Sequence, residues 1–260
     1  MNIKKHIPNA ITCCNLICGC LAIIQCFQGN LISASYLVGL ALIFDFFDGF
    51  AARMLKVSSP IGKDLDSLAD MVTFGVVPGV MLYKIILLTN LTHLALGANA
   101  NDLMGMGSES ITYFPAYFAL IIPLFSAIRL AKFNNDARQS ESFIGLPTPA
   151  NAMIICSLPL IFNMDSFFLS REYNSIALFI LNPWLLLLLS FVLSLLLISE
   201  LPLFALKFKN FSWANNKLRF TFLALAILLL IVLKYAAIPV IILLYILLSI
   251  VNNIFLNKKV

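Results

Sequence analysis

The hydrophobic positions of this chain fall into long continuous blocks. Most blocks approach the roughly 20 residues that an α-helix needs to cross the hydrocarbon core of a bilayer. Only short breaks separate the blocks, so the pattern predicts an all-α polytopic membrane helix bundle. We predict eight spans, at residues 9–28, 31–55, 62–88, 113–135, 147–163, 176–199, 217–235 and 237–256.

The composition supports the same class of protein. Hydrophobic residues make up 61% of the chain and charged residues 11%, and the mean hydropathy is +0.98. A soluble domain is typically about half apolar and about a quarter charged. We therefore predict a single integral membrane domain over residues 1–260.

The positive charges predict the orientation of the bundle. Lys and Arg concentrate near both termini and in the connections between spans 2 and 3, 4 and 5, and 6 and 7. Cytoplasmic loops carry an excess of these residues, so the termini and the basic loops are predicted to face the cytoplasm of a cell-membrane protein. The net charge of +5 is dispersed, which indicates topology and attraction to anionic lipids, with no nucleic-acid partner.

The N-terminal region has features of a cleaved signal peptide. Lys4 and Lys5 precede an apolar run, and small residues follow at 33–35. Polar residues such as Asn9 and Thr12 interrupt that run, which is unusual for a signal peptide. We interpret the run as a retained first span.

Five of the six cysteines lie in span 1, a concentration that raises the question of a metal site or a disulfide. No pair of cysteines at CxxC spacing with nearby histidines accompanies them. We interpret the cysteines as packing residues, since free cysteine behaves as a small apolar side chain.

Four aspartates interrupt the apolar blocks of spans 2 and 3. Asp45 and Asp48 lie near the end of span 2, and Asp66 and Asp70 lie near the start of span 3. Ionised carboxylates are costly inside a membrane and mark functional sites by default. With a short connection between them, the two helices are predicted to be antiparallel neighbours whose acidic faces meet. Asp64 points away from its helix's acidic stripe and is excluded.

Facing carboxylates repel one another unless cations lie between them. Oxygen ligands favour Mg²⁺, Mn²⁺ or Ca²⁺ over zinc, and paired divalent ions suit phosphoryl chemistry. Small residues on the same two faces, Gly49, Ala52 and Gly62, leave room for a nucleotide. Two alternatives remain open: the small residues serve helix packing, or the aspartates pair with nearby cations.

Together these residues form the pattern Asp45-x2-Asp48-Gly49-x2-Ala52-Arg53-x8-Gly62-x3-Asp66-x3-Asp70. The pattern resembles the signature of the CDP-alcohol phosphotransferases. The resemblance implies that an alcohol attacks a CDP-linked lipid and that CMP leaves. It also implies a six-helix catalytic core, here about 8–199, with extra helices at about 217–256, divalent metals near the cytoplasmic face, and a homodimer.

The resemblance also assigns roles to residues of the pattern. It implies that Asp45, Asp48 and Asp66 are metal ligands, and that Asp70 is both a ligand of the second metal and the general base. The implied metal is Mn²⁺ or Mg²⁺, two ions in all, with Ca²⁺ as a possible bound ion. The implied nucleotide contacts are Gly49, Ala52 and Gly62. For Arg53 two roles remain open: a contact to a phosphate, or a structural ion pair at the end of the helix.

Flanking segments resemble the phosphatidylserine synthase branch of this family, particularly 65–78, the N-terminal stretch 8–19, and 129–151. The branch implies CDP-diacylglycerol and L-serine as substrates. Glycerol-3-phosphate or an inositol phosphate as acceptor, and a divalent-cation transporter, remain the alternatives. The match covers roughly residues 8–155.

Polar residues outside the pattern complete the candidate site. Thr12 and Asn15 form a stripe on span 1 that is expected to line the CDP end, with interhelical hydrogen bonding as the alternative. Arg129, Lys132 and Thr73 are the candidates for binding serine or phosphate. For the two cations, anchoring at the membrane surface is the alternative.

Overall fold

The computed structural model describes residues 6–57, 59–97, 114–136, 143–163, 175–204 and 213–256. Its helices are α1 (His6–Gln28), α2 (Leu31–Leu55), α3 (Pro60–Asp70), α4 (Val77–Gly97), α5 (Ile121–Asn135), α6 (Thr148–Phe162), α7 (Ser175–Ile180), α8 (Pro183–Ile198), α9 (Trp213–Leu233) and α10 (Ala237–Leu256). A π-helical segment, Met71–Val76, joins α3 to α4. Short 3₁₀ segments, Phe114–Leu120 and Lys234–Ala236, lead into α5 and α10.

Helices of this length and composition make the chain a membrane protein. Five runs are long and apolar enough to cross a bilayer: His6–Gln28, Leu31–Leu55, Pro60–Thr92, Phe114–Asn135 and Leu218–Asn253. α6 and α8 are shorter apolar helices. Many large apolar side chains lie exposed on the outside of the bundle, where lipid would cover them. The predicted all-α membrane bundle is confirmed.

The last of these runs consists of two helices that fold back on each other. Phe222 on α9 and Tyr245 on α10 are far apart in sequence, yet their ring centroids are 5.6 Å apart. Lys234 makes the reversal with a left-handed φ of 51°. The run therefore corresponds to the two separate spans predicted at 217–235 and 237–256.

The span predicted at 176–199 differs from the structure, which has two helices there, α7 and α8. The break has a local cause. Asn182 caps α8 by accepting a hydrogen bond from the Trp184 backbone N–H at 2.9 Å. Pro183, at the first turn of α8, has no N–H to continue the preceding helix.

Contacts between connections show which helix ends lie together. The Lys63 ammonium at the start of α3 donates to the Asn134 carbonyl at the end of α5, at 3.0 Å. Two strands of two residues each, β1 (Phe143–Ile144) and β2 (Pro202–Leu203), pair antiparallel before α6 and after α8. The helices therefore alternate in direction, with the basic connections among the described residues at one end.

A contact at the other end of the bundle is consistent with this alternation. Tyr36, near the start of α2, shares a hydroxyl–hydroxyl hydrogen bond of 2.9 Å with Tyr235 in the turn between α9 and α10. The start of α2 and the α9–α10 turn both lie opposite the basic connections.

Helix α1 is the central element around which the candidate site is built. It packs against α2, α3, the π-helical segment and α4, whereas α2 and α3 have little direct backbone contact with each other. A Cβ on Gly19 would lie 3.1 Å from the Thr73 Cα, so the absence of a side chain allows this close approach. The prediction that α2 and α3 are neighbours needs a correction: α1 joins them and leaves a gap between their acidic ends.

Candidate active site

The start of α3 fixes the direction of its two aspartates. The Ser59 hydroxyl accepts a hydrogen bond from the Gly62 N–H at 3.0 Å, and Pro60 occupies the first turn. Both features favour helix initiation at this point. Asp66 and Asp70 follow four residues apart, so they project from one face of the helix.

Three of the predicted metal ligands meet across the gap between α2 and α3. Carboxylate oxygens of Asp45, Asp48 and Asp66 all lie within 4.8 Å of one another. Asp48 is buried, with 5% of its surface exposed, and the other two are partly buried. Asp64 is exposed and lies outside this group, in keeping with its exclusion.

Asp70 lies beside this group, one helical turn deeper in the bundle. Its carboxyl lies within hydrogen-bonding reach of the Asp45 carboxyl. The Asn15 amide donates to Asp70 Oδ1 at 3.3 Å. The buried guanidinium of Arg129 interacts electrostatically with the same carboxyl. Asp70 therefore interacts with α1 and α2 through polar side chains and with Arg129 of α5 electrostatically.

Side chains of helix α1 donate hydrogen bonds to two of the aspartates. The Thr12 hydroxyl donates to Asp48 Oδ2 at 2.7 Å, so α1 contacts both α2 and, through Asn15, α3. The Thr73 hydroxyl donates to the Asn15 backbone carbonyl at 3.2 Å. Thr73 is fully buried, so its hydroxyl has a partner inside the protein and ties the π-helical segment to α1.

A cleft of about 250 Å³ opens beside the aspartates. It contains four of the six residues predicted for the nucleotide and two of the aspartates; these are Thr12, Gly49, Ala52, Gly62, Asp48 and Asp66. Its remaining lining residues, not predicted, are Pro8, Asn9, Val57, Ser59 and Lys63. The sequence held a signal for Ser59, because serine before proline is typical of a helix start.

Asn15, Thr73 and the three predicted basic residues lie outside the cleft lining. Arg53 is exposed at the end of α2, and Lys132 is exposed on α5. Arg129, one turn before Lys132, is buried with 6% exposure, and its guanidinium lies over the Phe133 ring at 5.4 Å. The two basic residues predicted together on span 4 therefore have different environments.

All six cysteines are free thiols. Cys18, Cys26 and Cys156 are buried, as the packing interpretation predicts, and the other three are exposed on α1. The acidic cluster contains no cysteine.

The sequence pattern of one protein family matches residues 5–252; its description is CDP-alcohol phosphatidyltransferase. The chain belongs to this family. The resemblance predicted from the aspartate pattern is confirmed, and it extends well beyond residue 155, where we expected it to end.

Relatives within the CDP-alcohol phosphatidyltransferase family share a narrower description. A Helicobacter pylori protein is 30% identical over 256 residues, 97% of this chain and 93% of its own length. A Bacillus subtilis protein is 34% identical over 159 residues, 61% of this chain and 78% of its own. Both are described as CDP-diacylglycerol–serine O-phosphatidyltransferase. An archaetidylserine synthase of Methanothermobacter thermautotrophicus is 29% identical over 168 residues, 62% of each chain.

The acidic cluster of this family member is suited to a divalent metal. Its ligand atoms are carboxylate oxygens, which bind hard cations such as Mg²⁺ and Mn²⁺. Oxygens of Asp45, Asp48 and Asp66 lie within 4.8 Å of one another, and the Asp70 carboxyl lies within hydrogen-bonding reach of Asp45. A cation would offset their mutual repulsion, so the cluster could bind a metal.

Proposed function

We propose that this chain transfers the phosphatidyl group of CDP-diacylglycerol to the hydroxyl of L-serine and releases CMP. The main observation in support is the cluster of Asp45, Asp48 and Asp66. Their carboxylate oxygens lie within 4.8 Å of one another, beside a cleft lined in part by glycine and alanine. The names of the family relatives supply the identity of the acceptor.

Two divalent ions, Mg²⁺ or Mn²⁺, are part of this proposal. Asp45, Asp48 and Asp66 would hold the first, and Asp70 would share the second with the cluster through its contact with Asp45. Ca²⁺ is a further candidate as a bound ion. A divalent ion supplies positive charge that offsets negative charge on phosphate oxygens.

The cleft is the proposed site of the CDP group. Gly49, Ala52 and Gly62 let a ligand approach the helix backbones closely, and Thr12 forms part of the same wall. Asn15 would act through Asp70, to which it donates a hydrogen bond. Arg53, exposed at the end of α2, would reach a phosphate only from the rim. Lys63, which lines the cleft, is a second candidate cation.

Asp70 is the proposed general base. Its carboxylate takes the proton of the serine hydroxyl, and the serine oxygen forms a bond to the lipid-side phosphorus. The bond between that phosphorus and the oxygen of CMP breaks, and CMP leaves with the bonding electrons. Serine's hydroxyl is a weak nucleophile at neutral pH, so a positioned base is needed.

We further propose that the basic end of the bundle faces the cytoplasm. Lys63, Arg53 and Lys132 are exposed at this end, as expected for cytoplasmic connections. Serine and CMP would then exchange with the cytoplasm, and CDP-diacylglycerol would enter sideways from the lipid. A homodimer, implied by the resemblance, is part of the proposal.

The test is CMP release by the purified protein with CDP-diacylglycerol, Mg²⁺ or Mn²⁺, and a panel of alcohols. We expect L-serine to support release, and glycerol-3-phosphate and inositol phosphate to fail. Release with one of the anionic acceptors alone would reassign the substrate. Uptake of radiolabelled Mn²⁺ into proteoliposomes without any CMP release would favour the cation-transporter alternative.

A further inference from the structure

The interior of the bundle contains buried polar atoms without hydrogen-bond partners. Among the described residues these atoms are Asn15 Oδ1, Ser126 Oγ, Arg129 Nε, Thr148 Oγ1, Asn151 Nδ2, Asn151 Oδ1 and Ser194 Oγ. More than ~90% of buried polar groups in native proteins are paired. A concentration of unpaired atoms in one region therefore needs a physical explanation.

All but Ser194 lie on α1, α5 or α6, each of which packs against the π-helical segment that follows Asp70. Asn15 donates to Asp70, and Arg129 interacts with it electrostatically. Ser126, one turn before Arg129 on α5, lies close to the π-helical segment, since a Cβ on Gly75 would be 3.1 Å from the Ser126 Cβ. We call Asn15, Ser126, Arg129, Thr148 and Asn151 the interior polar patch.

Two members of the patch come from the first turn of α6. That helix packs against α2, α4 and the π-helical segment. Thr148 and Asn151 are three residues apart, so they share one face, and they are 1% and 0% exposed. Neither atom of the Asn151 amide has a partner. Leaving a buried polar group unpaired costs ~1–3 kcal/mol, which argues against a purely structural role.

The patch is complementary to a zwitterion. Its unpaired donors are Arg129 Nε–H and the Asn151 amide nitrogen, and the N-terminal turn of α6 adds the positive end of the helix dipole. Its unpaired acceptors include Asn151 Oδ1 and Thr148 Oγ1. Donors suit a carboxylate, and acceptors suit an ammonium group.

We propose that the interior polar patch is the acceptor subsite and that it binds the carboxylate and ammonium groups of an amino acid. The proposal rests on the proposed function and specifies residues for it. Arg129 and the Asn151 amide nitrogen bind the carboxylate, while Thr148 and Asn151 Oδ1 accept from the ammonium. For the transfer, the hydroxyl of the bound acceptor must reach Asp70, to which Asn15 of the patch donates a hydrogen bond. Arg129 is the one cation in the patch, and a dianionic acceptor would leave charge uncompensated there.

The test compares Asn151→Leu and Thr148→Val with the wild type. Losing a hydrogen bond to a charged group costs ~1.5–3 kcal/mol, so KM for L-serine is expected to rise roughly 10- to 150-fold. KM for CDP-diacylglycerol should stay within about twofold of wild type. Thr148→Ser, which keeps the hydroxyl, should restore the serine KM.

A binding readout independent of turnover is the melting temperature. L-Serine should raise the melting temperature of the wild-type protein in the presence of CDP-lipid. This increase should be absent in Asn151→Leu. Without serine, Asn151→Leu should melt at or above the wild-type temperature, because an unpaired buried amide is replaced by an apolar group. Ser157→Ala is the matched control, since Ser157 is also buried on α6 but its hydroxyl already donates to the Ile154 carbonyl at 2.7 Å.

Several outcomes would overturn the proposal. Equal rises in both KM values, wild-type serine KM in both variants, or a lowered melting temperature of serine-free Asn151→Leu would indicate a structural role. If the wild type instead uses a different alcohol, the proposed function fails. A selective effect of the variants on that alcohol would then overturn the assignment of the patch to an amino acid.

Discussion

Thr12 on α1 donates its hydroxyl hydrogen to Asp48 Oδ2 on α2 across 2.7 Å. Both residues are buried, with 3% and 5% of their surfaces exposed. The hydrogen bond orients a carboxylate that we propose as a metal ligand. Groups that orient ligands in this way typically change metal affinity by ~10- to 100-fold when they are removed.

Thr12→Val keeps the shape of the side chain and removes the donor. We expect it to raise the Mn²⁺ concentration required for half-maximal CMP release by about tenfold. Mn²⁺ binding measured by electron paramagnetic resonance should weaken in parallel, and Thr12→Ser should recover most of the affinity. An unchanged Mn²⁺ affinity in Thr12→Val would show that the bond has no effect on the metal site.

Gly49 offers a test of the cleft. A Cβ at this position meets no protein atom within 4 Å, and Gly49 lines the cleft. The Gly49→Ala variant should therefore fold normally. Its added methyl group should occupy space in the cleft that the CDP group needs. Overpacking costs ~1–3 kcal/mol, which corresponds to a rise in KM for CDP-diacylglycerol of roughly 5- to 150-fold.

The matched control is Gly39→Ala, on the same helix. A Cβ there also meets nothing within 4 Å, but Gly39 lies outside the cleft lining. It should leave both the melting temperature and KM unchanged. Equal changes in KM in the two variants would mean that glycine is needed for the structure of α2 and not for ligand binding.

The sequence predicts which site residues share one face of a helix. It does not predict the distances between helices. The spacing of Asp66 and Asp70 places them on one helix face wherever that helix lies. The separation of α2 from α3 depends on the packing of both helices against α1, and these contacts are distant in sequence. For the same reason, the sequence did not distinguish buried Arg129 from exposed Lys132.

The sequence contains a signal for the two α6 members of the interior polar patch. Thr148 and Asn151 are polar residues at the start of an apolar span, and such residues inside membrane helices mark functional sites. The family resemblance includes this segment but assigns no role to either residue. Its unpaired amide could be recognised only once the neighbouring side chains were placed.

Asp70→Asn tests the general base. The amide keeps the size of the side chain but cannot accept the serine proton, so kcat should fall ~10²- to 10⁴-fold. CDP-diacylglycerol binding, measured by thermal shift, should be largely retained. Asp64→Asn is the control, since Asp64 is exposed on the same helix and outside the acidic cluster. Wild-type turnover in Asp70→Asn would exclude Asp70 as the base.

Chelation of divalent metal should affect stability as well as activity. Without a cation the carboxylates of Asp45, Asp48 and Asp66 repel one another at close range. EDTA should abolish CMP release and lower the melting temperature, and Mg²⁺ or Mn²⁺ should reverse both. A ligand at about 100 times its Kd stabilises by roughly 2.7 kcal/mol. Asp66→Asn should show a smaller EDTA effect, and an equal effect would place the metal elsewhere.

The orientation of the bundle can be tested with single cysteines in a cysteine-free background. Lys132 lies on α5, whose end contacts Lys63 at the basic end of the bundle, and Lys234 lies in the opposite turn next to Tyr235. Both side chains are exposed. Because basic connections stay on the cytoplasmic side, a membrane-impermeant thiol reagent should label Lys132→Cys in inside-out vesicles and Lys234→Cys in right-side-out vesicles. Labelling of both from the same side would contradict the alternation of the helices, and the reverse pattern would place the aspartates at the outer face.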